Sequence, residues 1–295
     1  MKLLLLGGNG QVGRELRRGL SPLGELVVAT RDGVDADVAA DFDMPDALAA
    51  LVRDVAADVI VNAAAYTAVD KAETDADAAF GINAEAPAAI AAACVDTGAL
   101  LVHYSTDYVF DGSASRPYRE DDLTAPLGVY GASKLAGEQA IRASGARHAI
   151  LRTAWVYASH GRNFLLTMLR LAGERDELRV VADQVGTPTS AAWIADATTE
   201  LLRHGVTDAG TWHLVASGQT SWHGFASAIV EDAHALGLLT RVPAVLPITT
   251  ADFPTPAQRP ANSVLDTTRL RSDFGIVPSD WREGLRATLR GIAER

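Results

Sequence analysis

Cysteine is almost absent from the chain, since Cys94 is the single one in 295 residues. One cysteine cannot form an internal disulfide, and it excludes a zinc site built mainly from cysteines. This scarcity is typical of a reducing compartment, so we expect a cytoplasmic protein. The length suits one large domain or two modest ones, which can bury a core without covalent cross-links.

Net positive charge and long apolar runs are also missing. The formal net charge is −11, which argues against general binding to nucleic acid or to anionic membranes. The apolar start, residues 3–6, is too short for a signal peptide and is predicted to be a buried strand. The most apolar region, residues 86–104, contains Asp96 and Gly98 and is predicted to be a helix followed by a strand rather than a membrane span.

Motifs of several other enzyme classes do not occur. No two of the seven histidines are three or four residues apart, so there is no helical pair of metal ligands, and we expect no metal site. The chain lacks a Gly-Lys dipeptide and a G-x-S-x-G sequence, which excludes a P-loop and disfavours a serine hydrolase. His103 lies in an apolar run and is predicted to be a core histidine with its hydrogen bonds satisfied.

The first half of the chain alternates short apolar runs with longer amphipathic segments. Strands are predicted at residues 3–6, 26–29, 59–62, 100–104 and 148–153, and helices at 11–20, 45–55, 82–97 and 130–144. Continuously apolar strands indicate a sheet that is covered on both faces. The alternation predicts an α/β protein with a Rossmann-type, doubly wound parallel sheet.

The second half is less regular. Helices are predicted at residues 163–171, 191–203 and 222–235, whereas residues 248–262 carry three prolines and cannot form a regular helix or a central strand. We therefore predict a dinucleotide-binding domain over residues 1–153 and a smaller, irregular C-terminal substrate lobe over residues 154–295. Some segments of the second part are expected to return to the core of the first.

A glycine-rich loop follows the first predicted strand and opens the first helix. Gly7, Gly10 and Gly13 allow a sharp turn and a close approach of backbone N–H groups to a pyrophosphate, whose charge the helix N-terminus favours. This position favours a bound dinucleotide over a simple tight turn. Near the end of the second strand, Arg31 indicates NADPH and the adjacent Asp32 indicates NADH; we predict NADPH, with NADH as the alternative.

Tyr130 and Lys134 are four residues apart and lie on one face of a predicted helix. A nearby ammonium stabilises a phenolate and lowers the pKa of a tyrosine, which makes Tyr130 a suitable proton donor to a carbonyl oxygen. Thr106 follows the fourth predicted strand, at the sheet edge where ligands bind, and is placed to hydrogen-bond the same carbonyl. This set, after a glycine loop, predicts a reductase that uses a nicotinamide cofactor.

At this point the chain resembles the extended short-chain dehydrogenase/reductase family and, within it, the dTDP-4-dehydrorhamnose reductases. The motifs that carry the resemblance span almost the whole chain: residues 10–13, 61–73, 103–110, 129–130, 134–138, 152–157, 254–257 and 259–263. The resemblance implies NAD(P)H-dependent reduction of the C4 ketone of dTDP-4-dehydro-6-deoxy-L-mannose to dTDP-L-rhamnose, the last step of dTDP-rhamnose synthesis.

The resemblance also implies roles for individual residues. The catalytic residues would be Thr106, Tyr130 and Lys134. The cofactor contacts would be Gly10, Gln11, Val12, Asp41, Phe42, Ala65, Tyr66, Thr67, Tyr104, Tyr130 and Lys134, in addition to Gly7 and Arg31 from the arguments above. The substrate contacts would be Thr106, Asp107, Tyr130, Trp155 and Arg259. Without the resemblance, Asp41 and Phe42 would be interpreted as a loop acid and a core aromatic, Trp155 as a core residue and Arg259 as a surface charge.

Two alternatives to a reductase remain open from the sequence. One is a nucleotide-sugar epimerase or dehydratase of the same fold, and the other is a non-catalytic regulatory subunit resembling that of methionine adenosyltransferase. Some relatives are metal-bridged dimers, and Glu15 matches one bridging position, but residues 190–193 offer no second carboxylate. We therefore expect no metal bridge, and a monomer or a homodimer.

Overall fold

The computed structural model of the chain describes residues 1–294. Within them the strands are β1 (Lys2–Leu6), β2 (Glu25–Thr30), β3 (Val38–Ala39), β4 (Val59–Asn62), β5 (Leu100–Thr106), β6 (His148–Thr153), β7 (Val156–Tyr157), β8 (Glu177–Val181), β9 (Val185–Gly186), β10 (Thr189–Ser190), β11 (Gly210–His213), β12 (Thr220–Ser221) and β13 (Ala244–Ile248). The helices are α1 (Gln11–Leu20), α2 (Pro45–Val55), α3 (Val69–Ala72), α4 (Ala76–Phe80), α5 (Ala86–Thr97), α6 (Val129–Ser144), α7 (Phe164–Glu174), α8 (Ala191–His204), α9 (Trp222–Ala235), α10 (Thr268–Phe274) and α11 (Trp281–Ala293).

Seven strands form one sheet in the order β11-β6-β5-β4-β1-β2-β3, and every neighbouring pair in it is parallel. This confirms the predicted Rossmann-type architecture. The chain leaves β1 toward β2 and β3 and then crosses back to β4 on the other side. The carboxyl ends of β1 and β4 therefore flank the switch point where doubly wound sheets bind ligands.

The first strand shows why the sheet needs continuous apolar runs. Leu3 and Leu5 face one side, where they pack in a cluster with residues of α1 and α8. Leu4 and Leu6 face the other side, in a cluster with residues of α2 and α5. All four leucines are fully buried, because successive side chains of a strand point to opposite faces and both faces are covered here.

The predicted helix over residues 82–97 was wrong in its start and in its regularity. The helical run begins at Ala76, and a π-helical turn, Gly81–Glu85, separates α4 from α5. By length and composition the run Ala76–Thr97 could also cross a membrane. In this structure, however, Ala86, Ile90 and Ala93 are fully buried against the sheet, as expected of a core helix in a globular protein.

The C-terminal part has its own apolar cluster, to which α7, α9, α11 and β8 contribute. Three small two-stranded pairings accompany it: β7 with β10, β9 with β12, and β8 with β13. In contrast, α8 packs in the sheet cluster with α1, and β11 is the outermost strand beside β6. The division into a cofactor-binding part before residue 153 and a substrate-binding part after it stays a prediction.

Candidate active site

A cleft of about 530 Å³ opens at the carboxyl ends of the central strands. It is lined by the loop after β1, by Ala63–Ala65 after β4, and by residues of β5, β6 and α6. Twelve of the predicted site residues lie in this lining: Gly7, Gly10, Gln11, Val12, Arg31, Asp41, Phe42, Ala65, Thr67, Tyr104, Tyr130 and Lys134. His160 and Arg162, which the sequence did not single out, also line it.

Two glycines of the loop, Gly7 and Gly13, pack closely against each other. The backbone of Gly7 has φ +80°, and a Cβ atom on Gly13 would lie 2.1 Å from the carbonyl oxygen of Gly7, so neither position tolerates a larger residue without backbone movement. Gly10 precedes α1 with no side-chain hydrogen bond to the first turn. The first N–H groups of α1 are thus left for a ligand, and an anion is favoured there.

Arg31 lies between two carboxylates at the far end of the cleft. Its Nε atom is 3.4 Å from Asp41 Oδ1, and its guanidinium also pairs with Asp43. All three side chains are at least two-fifths exposed, which makes these ion pairs weak and readily exchanged. The arginine is therefore available to an incoming phosphate.

Tyr130 and Thr106 are brought together by the close packing of α6 on the segment after β5. A Cβ atom on Gly131 would lie 2.2 Å from the carbonyl oxygen of Tyr108, so glycine there lets the helix start directly against this turn. The Thr106 hydroxyl donates to Asp107 Oδ1 at 2.9 Å and accepts from the backbone N–H of Tyr108 at 3.2 Å. Burial raises the pKa of Tyr130, and the nearby Thr106 hydroxyl partly opposes this shift.

The Lys134 ammonium lies on the inner side of the same helix. Its Nζ atom donates to the carbonyl oxygen of Tyr104 at 2.6 Å and is 3.3 Å from His103 Nε2. Burial lowers the pKa of Lys134 to about 8, while the charge of Glu138 opposes that shift. The raised pKa of Tyr130 is opposite to the lowering expected from Lys134, because the phenol is buried and the ammonium is directed at Tyr104 and His103.

Asp107 is a buried carboxyl group next to the reactive hydroxyls. Burial raises its pKa from 3.8 to about 6, and the hydrogen bond that Thr106 donates to it partly opposes this shift. Its ionised form is therefore disfavoured in the folded protein relative to the unfolded chain. Stability from this group is fully present below its unfolded pKa and is lost as the pH rises through about 6.

We expect Asp107→Asn to raise the free energy of unfolding by about 2–3 kcal/mol at about pH 8, because the amide is neutral and keeps an oxygen for the Thr106 hydrogen bond. At about pH 3 or below the gain should be small, because the carboxyl group is then mainly protonated in both the folded and the unfolded protein. Urea unfolding of the two proteins at both pH values measures this difference. An equal gain at the two pH values would contradict the assignment.

Trp155 follows β6 and has the strained backbone value φ +48°. Its indole stacks on that of Trp222, with ring centroids 3.5 Å apart and planes 5° from parallel. It does not line the cleft described above, and it packs on Trp222 of α9 and beside Gly186 of β9. Non-glycine residues in this backbone region cluster at ligand sites, where the surrounding packing holds them in place.

Arg259 joins the proline-rich loop to the first half of the chain. One of its terminal nitrogens lies 2.9 and 2.8 Å from the two oxygens of Asp70, and its charge partly opposes the burial that raises the pKa of Tyr108. The loop is thereby fixed to α3, close to the segment that carries Thr106 and Asp107. The sequence did not single out Asp70 as the partner, since the two residues are far apart in the chain.

Tyr66 is the predicted cofactor residue that the structure places differently. Its hydroxyl donates to Asp75 at 3.1 Å, and its side chain is outside the cleft lining. Its backbone is held by Asn83, which accepts from the Tyr66 N–H at 2.9 Å and donates to its carbonyl oxygen at 3.0 Å. Asn83 also donates to Ser133 of α6 at 3.0 Å, so the π-helical turn connects two walls of the cleft.

Comparison with known proteins places these features in context. The family described as "RmlD substrate binding domain" matches residues 1–293. The dTDP-4-dehydrorhamnose reductase of Burkholderia thailandensis is 49% identical over 301 residues, covering 99% of each chain. The enzyme of the same name from Escherichia coli K12 is 47% identical over 295 residues, covering 99% of this chain and 98% of that one. The crystal structure of dTDP-4-dehydrorhamnose reductase from Bacillus anthracis in complex with NADP superimposes with a TM-score of 0.90 at 35% identity, covering 98% of this chain and 99% of that one.

Proposed function

Since the chain belongs to the dTDP-4-dehydrorhamnose reductase family, we propose that it reduces the C4 ketone of dTDP-4-dehydro-6-deoxy-L-mannose to dTDP-L-rhamnose. It is an oxidoreductase that uses NADP, with NADH as the alternative cofactor. The observation that carries the proposal is that Tyr130 and Lys134 line a cleft of dinucleotide size, with the Thr106–Asp107 pair at the end of the adjacent strand β5. The match of the chain to reductases over its full length favours reduction over epimerisation, dehydration or a regulatory role.

The residues of the cleft fit a nicotinamide dinucleotide. The uncapped start of α1 and the close contact of Gly13 with Gly7 support a pyrophosphate site formed by Gly7, Gly10, Gln11 and Val12. Asp41, Phe42 and Arg31 would bind the adenosine end, and Ala65, Thr67 and Tyr104, but not the side chain of Tyr66, would line the path to the nicotinamide. When bound, the cofactor supplies the hydride; the protein supplies orientation and charge stabilisation.

Tyr130 is the general acid of the proposed reaction. A tyrosine phenol is uncharged at neutral pH, and burial raises the pKa of this one further, so its proton is retained until the ketone oxygen accepts it. Thr106, whose hydroxyl affects the pKa of this phenol, would polarise the same oxygen. Lys134 would bind the ribose and stabilise the phenolate that forms when the proton leaves.

The substrate side of the site would be formed by three further residues. Asp107, bonded to Thr106, would contact the sugar, and Trp155 would form a wall of the sugar pocket. Arg259 would bind the nucleotide part of the substrate, with Asp70 as its partner until the substrate arrives. The Arg259 guanidinium can exchange the partly exposed Asp70 carboxylate for a substrate phosphate, because a guanidinium binds both groups with the same geometry.

The expected partner is the nucleotide-sugar substrate. In keeping with the charge of −11, we propose that the protein binds neither nucleic acid nor membranes and acts in the cytoplasm as a monomer or a homodimer. We also propose that residues 1–153 form the cofactor-binding domain and that residues 154–295 form a mainly substrate-binding lobe, which adds Trp155 and Arg259 to the substrate contacts of the first domain. Metal is not part of the proposed reaction.

The direct test supplies purified protein with enzymatically generated dTDP-4-dehydro-6-deoxy-L-mannose and either NADPH or NADH. Loss of the reduced-nicotinamide absorbance, with dTDP-L-rhamnose as the product, is the expected result. If folded protein oxidises neither cofactor, the proposal is wrong. Stoichiometric NAD⁺ in such a preparation would instead favour an epimerase or dehydratase.

A second test concerns cofactor choice. We expect Arg31→Ala to raise the KM for NADPH about tenfold, because a charged hydrogen bond to the extra phosphate is lost, while the KM for NADH changes little. Steady-state kinetics with each cofactor measures both constants. Arg53→Ala is the matched control, since Arg53 also forms an exposed ion pair, with Asp96, but lies outside the cleft lining. An equal change for both cofactors would exclude Arg31 from phosphate recognition.

A further inference from the structure

Two buried polar residues of neighbouring strands lie behind Lys134. Asn62 ends β4 and His103 is in β5, and the two are register partners in the sheet. Asn62, His103 and Lys134 are each at most 2% exposed. The Asn62 amide nitrogen is 3.1 Å from His103 Nδ1, and His103 Nε2 is 3.3 Å from Lys134 Nζ. The three side chains therefore form one chain of hydrogen-bonding groups that ends at Lys134.

The orientation of Asn62 fixes the proton on His103. The backbone N–H of Ala64 donates to Asn62 Oδ1 at 3.1 Å, so the amide NH₂ group, which can only donate, faces the imidazole. His103 Nδ1 must accept this hydrogen bond and cannot carry a proton. Burial by itself lowers the pKa of His103, so the ring is neutral and its single proton is on Nε2.

This tautomer presents an N–H group to Lys134. An ammonium group has three donors and no acceptor, so it would meet the Nε2–H with a hydrogen of its own. An uncharged amine has a lone pair that accepts the Nε2–H, and it still donates to the carbonyl oxygen of Tyr104. The tautomer protonated on Nδ1 could accept a hydrogen bond from the ammonium at Nε2. However, its Nδ1–H would then face the Asn62 NH₂ group, and two donors cannot hydrogen-bond each other.

We propose that Asn62 and His103 form a positioning pair that favours the uncharged form of the Lys134 side chain by presenting it with a hydrogen-bond donor. The inference rests on the proposed function and deepens it. Asn62 and His103, which are not catalytic residues, would control when Lys134 releases a proton. Neither residue needs to touch the substrate for this role.

The charges around Lys134 agree with this role. Burial lowers the pKa of Lys134, and Glu138, one turn further along α6, opposes this shift. Glu138 itself is bound by Arg152 from β6 and by Arg142 from α6, which reduces its effect. From β5, the Tyr104 carbonyl accepts from either form of the amine, and Tyr130 precedes Lys134 on α6.

A lysine of this kind can restore the acid after each turnover. Tyr130 gives its proton to the substrate oxygen as the hydride reaches the carbon, and a phenolate remains. The Lys134 ammonium then gives a proton toward that phenolate and becomes the amine that accepts the His103 Nε2–H. The amine regains its proton from solvent, so one hydride and one proton are consumed for each ketone reduced.

The tautomer is testable in the unmodified protein. Histidine labelled with ¹⁵N reports which ring nitrogen carries the proton, and the His103 signals are assigned by through-bond NMR of the full chain. We expect the Nε2–H tautomer. A ring protonated on Nδ1, or on both nitrogens at neutral pH, would overturn the inference whether or not the protein reduces the proposed substrate.

The effect on Lys134 is measured with labelled lysine. The chain has three lysines, Lys2, Lys71 and Lys134, so ¹³C/¹⁵N-lysine gives few signals, and Lys134→Met identifies one of them. We expect His103→Gln to raise the Lys134 pKa by about one unit or more, because the glutamine oxygen can turn to accept from the ammonium. Asn62→Asp should act in the same direction, since a carboxylate accepts from Nδ1–H and frees Nε2 to accept from Lys134.

The matched control is His148→Gln. His148 is also a buried strand histidine, but it bonds the carbonyl oxygen of Ala146, and this variant should leave the Lys134 titration unchanged. If the Lys134 titration is the same in wild type, His103→Gln and Asn62→Asp, the pair has only a structural role and the proposal fails. Because the readout is a titration of the free protein, this outcome is distinct from an absence of reductase activity.

Discussion

Replacement of Tyr130 by phenylalanine is expected to lower kcat by about 10²–10⁴-fold, the usual contribution of a positioned general acid. Tyr130 lines the cleft, and its phenol is uncharged at neutral pH because its pKa is raised above the ordinary value, so its hydroxyl is the proton source in the proposed reaction. The aromatic ring, which meets Tyr108 edge-on at a centroid distance of 5.6 Å, is kept by phenylalanine. Binding of NADPH, measured by titration of the nicotinamide fluorescence, should therefore change little.

The control for this experiment is Tyr118→Phe. Tyr118 is also buried and loses a hydrogen bond, to Asp111, but it is remote from the cleft lining, and its variant should keep most activity. If Tyr130→Phe retains near wild-type kcat, another group supplies the proton. If instead its NADPH affinity collapses together with kcat, Tyr130 acts mainly in cofactor binding.

Glu138→Gln is expected to lower the free energy of unfolding by about 3–5 kcal/mol, because it leaves a buried arginine without its counter-charge. Arg152 Nε and one terminal nitrogen donate to the two oxygens of Glu138 at 2.9 and 2.8 Å. The side chains of Arg152 and Glu138 are only 2% and 0% exposed. A neutral amide cannot replace this bidentate charged contact, even though it has nearly the same shape.

The double variant Glu138→Gln/Arg152→Met separates a buried unpaired charge from loss of packing. Removing the arginine as well should recover much of the lost stability, since neutral replacement of both members of a buried pair is often tolerated. Denaturant unfolding of the wild type, the two single variants and the double variant measures the coupling. Strictly additive losses would mean that the pair contributes no mutual stabilisation.

The fold was predictable where local pattern and tertiary structure agree. Strands β4 and β6 and helices α1, α2 and α9 have the predicted bounds, because each apolar run or helical period is closed by a turn or by a capping residue. The break before α5 was not predictable from periodicity, since it depends on the contacts of Asn83 with a distant loop. Helix α11 could have been predicted from the sequence, because Asp280 caps it and Trp281, Leu285 and Leu289 form its buried face at helical spacing.

The candidate site also has a part that the sequence predicts and a part that it does not. The glycine loop and the Tyr130–Lys134 pair follow from spacing within one strand–helix unit, and most of the predicted cofactor residues line one cleft. The partners that adjust them have no spacing signal. Asn62, His103 and Lys134 come from three separate elements, and the sheet register and helix packing alone bring them together. The core interpretation of His103 identified its burial but not the lysine it meets.

The position of β11 has a consequence for how the chain is made. Ribosomes release the N-terminal part first, yet the strand that covers β6 ends only at His213, and α8, which packs with α1, precedes it. Until that point has emerged, Ile150 and Leu151 belong to an open parallel edge, the kind of surface on which nascent chains aggregate. A fragment ending at residue 153 is therefore expected to be insoluble, whereas a fragment ending shortly after residue 213 should be markedly more soluble. The nucleotide-binding layer is thus complete only after most of the chain has been synthesised.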